Sequence, residues 1–258
     1  MKKVLTIAGS DCSGGAGIQA DIKTITVHNM YAMSVITALT AQNTTGVYGV
    51  LDTEPEFVAA QLDCVFQDIM PDAVKIGMVS NEEIIHIIAE KLREYHAENV
   101  VVDPVMSSTS GSALMKGGAG RALVEELFPL AAVITPNIPE AEILTGFSIN
   151  TSEDMERAAG EIYRKCGRAV LQKGGHMCGN ADDLLYTGNQ NIWYHGEKVD
   201  NPNTHGTGCT LSSAIACGLA AGKGLEDSVR DAKIYITRAI RAGLDLGKGK
   251  GPLNHMVS

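Results

Sequence analysis

The feature that most limits the folds open to this chain is a recurring pair: a short apolar run that stops at glycine, aspartate or proline, then a helix-like segment. Residues 4–8 run into Gly9-Ser10-Asp11-Cys12-Ser13-Gly14-Gly15-Ala16-Gly17, and a helical pattern follows over 18–29. An apolar run over 31–39 comes next. The order then repeats as strand 73–78 and helix 81–95, strand 99–103 and helix 118–127, and strand 132–135 with helices 140–145 and 152–165. Strand 169–173 follows. Segments 183–186 and 191–195 read as a hairpin turned at Gly188-Asn189, before long helices that begin at Thr207 and Leu225. Strands that alternate with helices imply a mainly parallel sheet covered on both faces. The expected class is therefore α/β, with one domain over 1–258, and ligands belong at the carboxyl edge of the sheet.

Length and charge narrow the function. A chain of 258 residues, 45% hydrophobic, can bury a full core. Its net charge of -9 argues against a nucleic-acid or anionic-membrane surface and favours small-molecule chemistry. The six cysteines are spread along the chain without a Cys-x-x-Cys pair, which points to free thiols in a reducing, cytoplasmic setting and to no zinc site. The apolar start is short and breaks at Gly9-Ser10-Asp11, as a strand does rather than a signal peptide, and no later run is long enough to span a bilayer.

The stretch His205-Gly206-Thr207-Gly208-Cys209 is the strongest candidate for chemistry. Two glycines let the backbone aim N–H groups at one point, and the Ser/Ala/Leu run beyond them opens a buried helix. Unsatisfied N–H groups and the helix dipole together favour a phosphate there. Cys209, on the first turn, is expected to have a lowered pKa and is the candidate base. The plainer reading, a loop followed by a small buried thiol, stands beside it.

Other strand ends carry paired readings of the same kind. Asp21, one turn into the first helix, either bonds a substrate hydroxyl or amine or complements the helix N-terminus. Gln42 offers a donor and an acceptor side by side, suited to a ring nitrogen beside an exocyclic amine, or lies in a solvated turn. Asp103, before Pro104, can hold magnesium through water. Asn137 and Glu140 either face a magnesium–phosphate cluster or cap their helix. Lys173, before Gly174-Gly175-His176, suits a phosphate as a point charge, or simply ends a strand. Lys233 either borders a nucleotide or snorkels from an apolar helix. His176 and His205 receive no role.

Seven blocks in order closely resemble one family: Gly9-Ser10-Asp11, residues 14–21, Thr40-Ala41-Gln42-Asn43-Thr44, Asp103-Pro104-Val105-Met106, Thr135-Pro136-Asn137 with Glu140-Ala141, Lys173-Gly174-Gly175-His176, and residues 205–209. The family is the hydroxymethylpyrimidine/phosphomethylpyrimidine kinases of thiamin biosynthesis, in the ribokinase superfamily, and the likeness runs over residues 4–254. The resemblance implies a ribokinase-like three-layer α/β/α sandwich with a mainly parallel central sheet. It implies an enzyme that uses ATP and Mg2+ to phosphorylate 4-amino-5-hydroxymethyl-2-methylpyrimidine and then its monophosphate. A homodimer is implied as well. On the same ground Gly9, Asp21, Gln42 and Val105 match substrate contacts, and Gly206, Thr207, Gly208 and Cys209 match the anion hole. Asn137, Glu140, Lys173 and Lys233 match the ATP and phosphate sites, with Asp103 and Glu140 toward the metal. Ribokinase-like sugar kinases carry an aspartate base where this chain has Cys209. Two other readings remain open, a pyridoxal or pyridoxine kinase of the same fold and a non-catalytic pyrimidine-binding protein.

Overall fold

The computed structural model describes residues 1–106, 117–175 and 181–257. His176 lies outside the described residues. One nine-stranded sheet runs through the molecule in the order β3-β2-β1-β4-β5-β6-β7-β8-β9. Its parallel centre is β1 (Lys3–Asp11), β2 (Tyr31–Asn43), β4 (Ala73–Ile76), β5 (Val100–Val102), β6 (Val133–Ile134) and β7 (Ala169–Lys173). Antiparallel strands close both sides: β3 (Gly46–Asp52) pairs with β2, while β8 (Asp183–Tyr186) pairs with β7 and β9 (Asn191–Tyr194). The sheet is thus mainly parallel, with antiparallel edges.

Alternation along each strand sorts its side chains into two cores. Leu5, Ile7, Val74, Ile76, Val100, Val102, Ile134, Val170 and Leu184 face a layer built from α2 (Pro55–Asp68), α3 (Glu82–Glu94), α4 (Ala119–Ala122), α5 (Ile138–Thr145) and α6 (Ser152–Cys166). Val4, Ala73, Val101, Val133, Leu171 and Leu185 face α1 (Gly17–Val27), α7 (Thr207–Ala220) and α8 (Leu225–Ala242). Helices on both faces make the three-layer sandwich.

Two elements go beyond the sequence reading. The apolar run 31–39 continues to Asn43 and returns as β3, where most residues are exposed on both faces, so β3 shows no in/out alternation. Helix α2 carries its buried residues at Val58, Leu62 and Phe66 behind Pro55 in the first turn. The helix expected over 118–127 is α4 followed by a π turn at Leu123–Leu127 and a 3-10 turn at Phe128–Leu130. Buried Leu123, Leu127 and Phe128 hold that irregular path against the core.

Candidate active site

The site forms where the loops after β1, β5, β6 and β7 meet the N-terminus of α7. Gly206 caps that helix with φ of 86°, in the left-handed region. A Cβ at Gly206 would lie 1.9 Å from the Gly15 carbonyl oxygen, so the first glycine loop and the α7 loop interlock and only glycine fits. The first N–H in register is that of Thr210, which donates to the Gly206 carbonyl at 2.9 Å. Among the described residues the N–H groups of Gly208 and Cys209 have no partner. They are the donors an anion can take, at the positive end of a 14-residue helix.

Charged groups close around this point. A Cβ on Gly208 would sit 3.2 Å from Asp103 Oδ2 and 3.4 Å from Lys173 Nζ, so Gly208 leaves room for both. Lys173 donates to Asp103 Oδ1 at 2.8 Å, and Thr135 Oγ1 donates to the same oxygen at 3.0 Å. Burial works against the Lys173 ammonium, yet Asp103 and Glu140 beside it hold its pKa above the ordinary lysine value. Glu140 is likewise pushed up, to about 7, by burial and by Asp103, against Lys173 and the N–H groups of Asn137 and Met106.

Asn137 and Glu140 form a reciprocal cap: Asn137 Oδ1 accepts from Glu140 N at 2.9 Å, and Glu140 Oε2 accepts from Asn137 N at 2.8 Å. The Asn137 oxygen is therefore engaged in starting α5. No cluster of three or more His, Cys, Asp or Glu side chains suited to a metal gathers among the described residues. Two carboxylates, Asp103 and Glu140, with Lys173 between them instead fit magnesium held mainly by phosphates and water, which needs one or two protein carboxylates.

Three expectations change. Cys209 is not a low-pKa thiol; burial pushes it up to about 11, with Asp21 and Asp103 adding, and Lys75 and the Gly17 N–H only partly compensate. Asp21 is wholly buried and already occupied: each of its oxygens accepts from Lys75 Nζ at 2.9 Å, and it accepts also from Thr6 Oγ1 at 2.6 Å and from Ser213 Oγ at 2.8 Å. It ties β1, β4, α1 and α7 together beneath the site. Lys233 does not snorkel, since it is ion-paired with Asp183 and donates to the Ala181 carbonyl.

The residues expected to face a substrate lie at strand ends. Gly9 sits at the β1 bulge, where Gly17 packs so closely that a Cβ there would come within 2.2 Å of the Gly9 oxygen. Val105 follows Asp103 in a tight turn, its N–H donating to the Asp103 carbonyl at 2.8 Å. Gln42 is at the end of β2, not in a solvated turn, and its terminal amide lies 3.2 Å from both Thr40 Oγ1 and His205 Nε2. His205 in turn meets Asp11 Oδ2 at 2.8 Å. Burial would raise the Asp11 pKa, but hydrogen bonds from His205 and Ser13 hold it down at about 2.

Sequence reasoning passed over Lys75 and left His205 without a role. Lys75 carried a signal, because a lysine inside Ala-Val-Lys-Ile, apolar on both sides, has no solvated face. The His205 contacts join residues 194 and 163 positions apart, and no local pattern announces them.

A three-layer α/β/α sandwich whose strand-end loops converge on the glycine-capped N-terminus of α7 is the architecture of a ribokinase-like kinase. A pyridoxal kinase of Bacillus subtilis solved with ADP is similar over 99% of this chain and 97% of its own, at 38% identity and a TM-score of 0.91. The family model described as phosphomethylpyrimidine kinase matches residues 11–254, and the chain belongs to that family. A hydroxymethylpyrimidine/phosphomethylpyrimidine kinase of Rhizobium meliloti is 51% identical over 97% of this chain and 96% of its own length. A thiamine biosynthesis bifunctional protein of Geobacter sulfurreducens is 52% identical over 99% of this chain, which spans 52% of that longer protein.

Proposed function

We propose that this chain uses ATP to phosphorylate the hydroxymethyl group of 4-amino-5-hydroxymethyl-2-methylpyrimidine, and then phosphorylates the monophosphate to the diphosphate. The observation that carries this reading is the convergence of Lys173, Asp103, Glu140 and the unpartnered N–H groups of Gly208 and Cys209 at the start of α7, with the Gln42 amide meeting His205 just before the Gly206 cap. Family membership and the ADP complex of the similar pyridoxal kinase support ATP as the donor.

In this reading the N–H groups of Gly208 and Cys209, with the Lys173 ammonium, bind the transferring phosphoryl group and hold the charge that spreads over its oxygens. Magnesium, when bound, adds charge neutralisation at the phosphates, and Asp103 and Glu140 are the groups that would hold it, in part through water. Gly9, Val105 and Gln42 position the ring, so that the hydroxyl is brought to the phosphoryl group near Cys209. Asp21 acts from below by fixing α7 through Ser213. The hydroxyl proton leaves late in a loose transfer; the Cys209 sulfur takes it when it is a thiolate, and otherwise the proton passes to an oxygen of the transferred phosphoryl group.

We also assign a homodimer, formed by a second copy on the β2–β3 face. Tyr48 and Leu51 on the sheet-edge strand β3, and Phe57 at the start of α2, are 70%, 68% and 62% exposed, apolar side chains that a second copy would cover. The five cysteines seen among the described residues are free thiols, and no helix there is long and apolar enough to cross a membrane. Both facts suit the cytoplasm. The one-domain reading of 1–258 rests on the single sheet.

The test is a coupled ADP-release assay with hydroxymethylpyrimidine, its monophosphate and pyridoxal in parallel. Turnover of both pyrimidines well above pyridoxal is expected. Turnover of pyridoxal alone moves the substrate assignment to a pyridoxal kinase, and pyrimidine binding without turnover would make the chain a binding protein.

A further inference from the structure

We propose that Asp11 and His205 are positioning residues which fix the direction of the Gln42 amide and thereby select a ring that carries an amine beside its nitrogen. The proposal rests on the substrate role given to Gln42 above. Its ground is a count of hydrogens around one buried carboxylate.

Asp11 Oδ1 accepts from Ser13 N at 2.9 Å and Ser13 Oγ at 2.7 Å. Asp11 Oδ2 accepts from Gly15 N at 3.1 Å and Ala16 N at 2.9 Å, and lies 2.8 Å from His205 Nε2. A carboxylate so surrounded by donors is ionised and can only accept. His205 Nε2 therefore carries a hydrogen, which points at Asp11. Gln42 meets that same Nε2 at 3.2 Å from its own side.

With the amide nitrogen toward His205, two N–H groups would face each other without an acceptor between them. The two ends of an amide have almost the same shape, so exchanging them costs nothing sterically. The exchanged amide turns Oε1 to His205, where it shares the Nε2 hydrogen with Asp11. It turns Nε2 to Thr40 Oγ1, whose own hydrogen goes to the Ser10 carbonyl at 3.0 Å. Every group then has a partner.

The order matters because a second N–H and a second carbonyl lone pair remain on Gln42 after these contacts. They lie side by side in a fixed sequence. A ring nitrogen takes the N–H, and an exocyclic amine gives a hydrogen to the carbonyl. A pyridine alcohol without that amine leaves the carbonyl unpaired, which is how a polar site rejects an analogue. Once the His205 N–H is lost, only Thr40 holds the amide, and its hydroxyl can turn its hydrogen to the Ser10 carbonyl or to the amide oxygen, so the preference weakens.

The test has two arms on the full-length protein. Long-range 1H–15N correlation on the wild type should show His205 protonated at Nε2; an unprotonated Nε2 overturns the proposal outright. The kinetic arm compares kcat/KM for hydroxymethylpyrimidine with that for pyridoxal. His205→Leu should lower this ratio roughly tenfold or more, while His205→Gln, which keeps an N–H for Asp11, should hold it within about threefold of wild type. An equal loss on both substrates in His205→Leu would mean that His205 only supports the Gly206 turn, and refutes the specificity role. If the wild type turns over no pyrimidine, the proposed function falls, and the tautomer of His205 still decides whether the amide direction was inferred correctly.

Discussion

Lys75 and Asp21 form a fully buried ion pair beneath the anion site, and removing one partner should be costly. Both side chains have no exposure, and Lys75 Nζ lies 2.9 Å from each Asp21 oxygen. Asp21 first and then Asp103 hold the Lys75 pKa above its ordinary value despite its burial. Lys75→Met leaves Asp21 with two hydroxyl donors, from Thr6 and Ser213, and no counter-charge. A buried charge orphaned in this way typically loses about 3–5 kcal/mol. For a chain of 258 residues that corresponds to a fall of about 6–10 °C in Tm. The assay is urea unfolding of wild type, Lys75→Met, Asp21→Asn and the double variant, compared at constant m-value. The double variant should regain at least half of what the lysine substitution loses, since no charge is then left buried. A Lys75→Met cost under about 1 kcal/mol, or a double variant equal to the sum of the singles, would show that the pair is not coupled and that the reasoning is wrong.

Two further outcomes follow from buried polar groups elsewhere. Gln172 is wholly buried on β7 with neither amide atom bonded among the described residues, so Gln172→Met should stabilise by about 1–2 kcal/mol in urea unfolding, and a loss would show that its amide is satisfied in solution. His255 is held down at about 4, by burial first and by Lys23, so the native state stays neutral where the unfolded chain, near 6.5, takes up a proton. Stability should thus be lost as pH falls from 6.5 towards 4, by roughly 2 kcal/mol between pH 7 and 5, and His255→Asn should flatten that dependence.

The fold was legible where burial is one-sided or complete. The parallel strands are short apolar runs with helices between them, and each announces itself by period and punctuation. Strand β3 does not, because a ribbon exposed on both faces needs no alternation and carries glycines at 46 and 49. Helix α2 was readable from Pro55 and the spacing of Val58, Leu62 and Phe66, and was simply not read. At the site, the strand-end positions of Asp103, Lys173 and the glycine cap were legible because they follow from strand-loop-helix order. The state of those groups was not. The occupation of Asp21 by Lys75 and the meeting of Asp11 with His205 are set by which strands lie side by side, and no window of local sequence holds that information.

Cys209 shows how magnitudes decide between two opposed influences on one thiol. A helix N-terminus contributes about 0.3–1 kcal/mol to a charge in its first turn and about 2 kcal/mol at most, or roughly 1.5 pKa units. Burial shifts a thiol by up to about 3–5 units in the other direction, and the Asp21 and Asp103 carboxylates push the same way. Burial wins, and the thiol stands at about 11. At pH 7 only about one molecule in ten thousand then carries a thiolate, against about 3% for an unperturbed cysteine. Iodoacetamide should therefore alkylate Cys209 roughly 300-fold more slowly than free cysteine at pH 7, while exposed Cys12 and Cys64 react first. Peptide mass spectrometry of a time course over pH 6–10 separates the three sites. Alkylation of Cys209 that titrates below pH 8 would mean that the dipole and the Gly17 N–H outweigh burial, and would return the thiolate to the role of a preformed base. Slow alkylation leaves the phosphoryl transfer resting on the free N–H groups, Lys173 and the alignment of the hydroxyl, with the hydroxyl proton passing to an oxygen of the transferred phosphoryl group as the new bond nears completion.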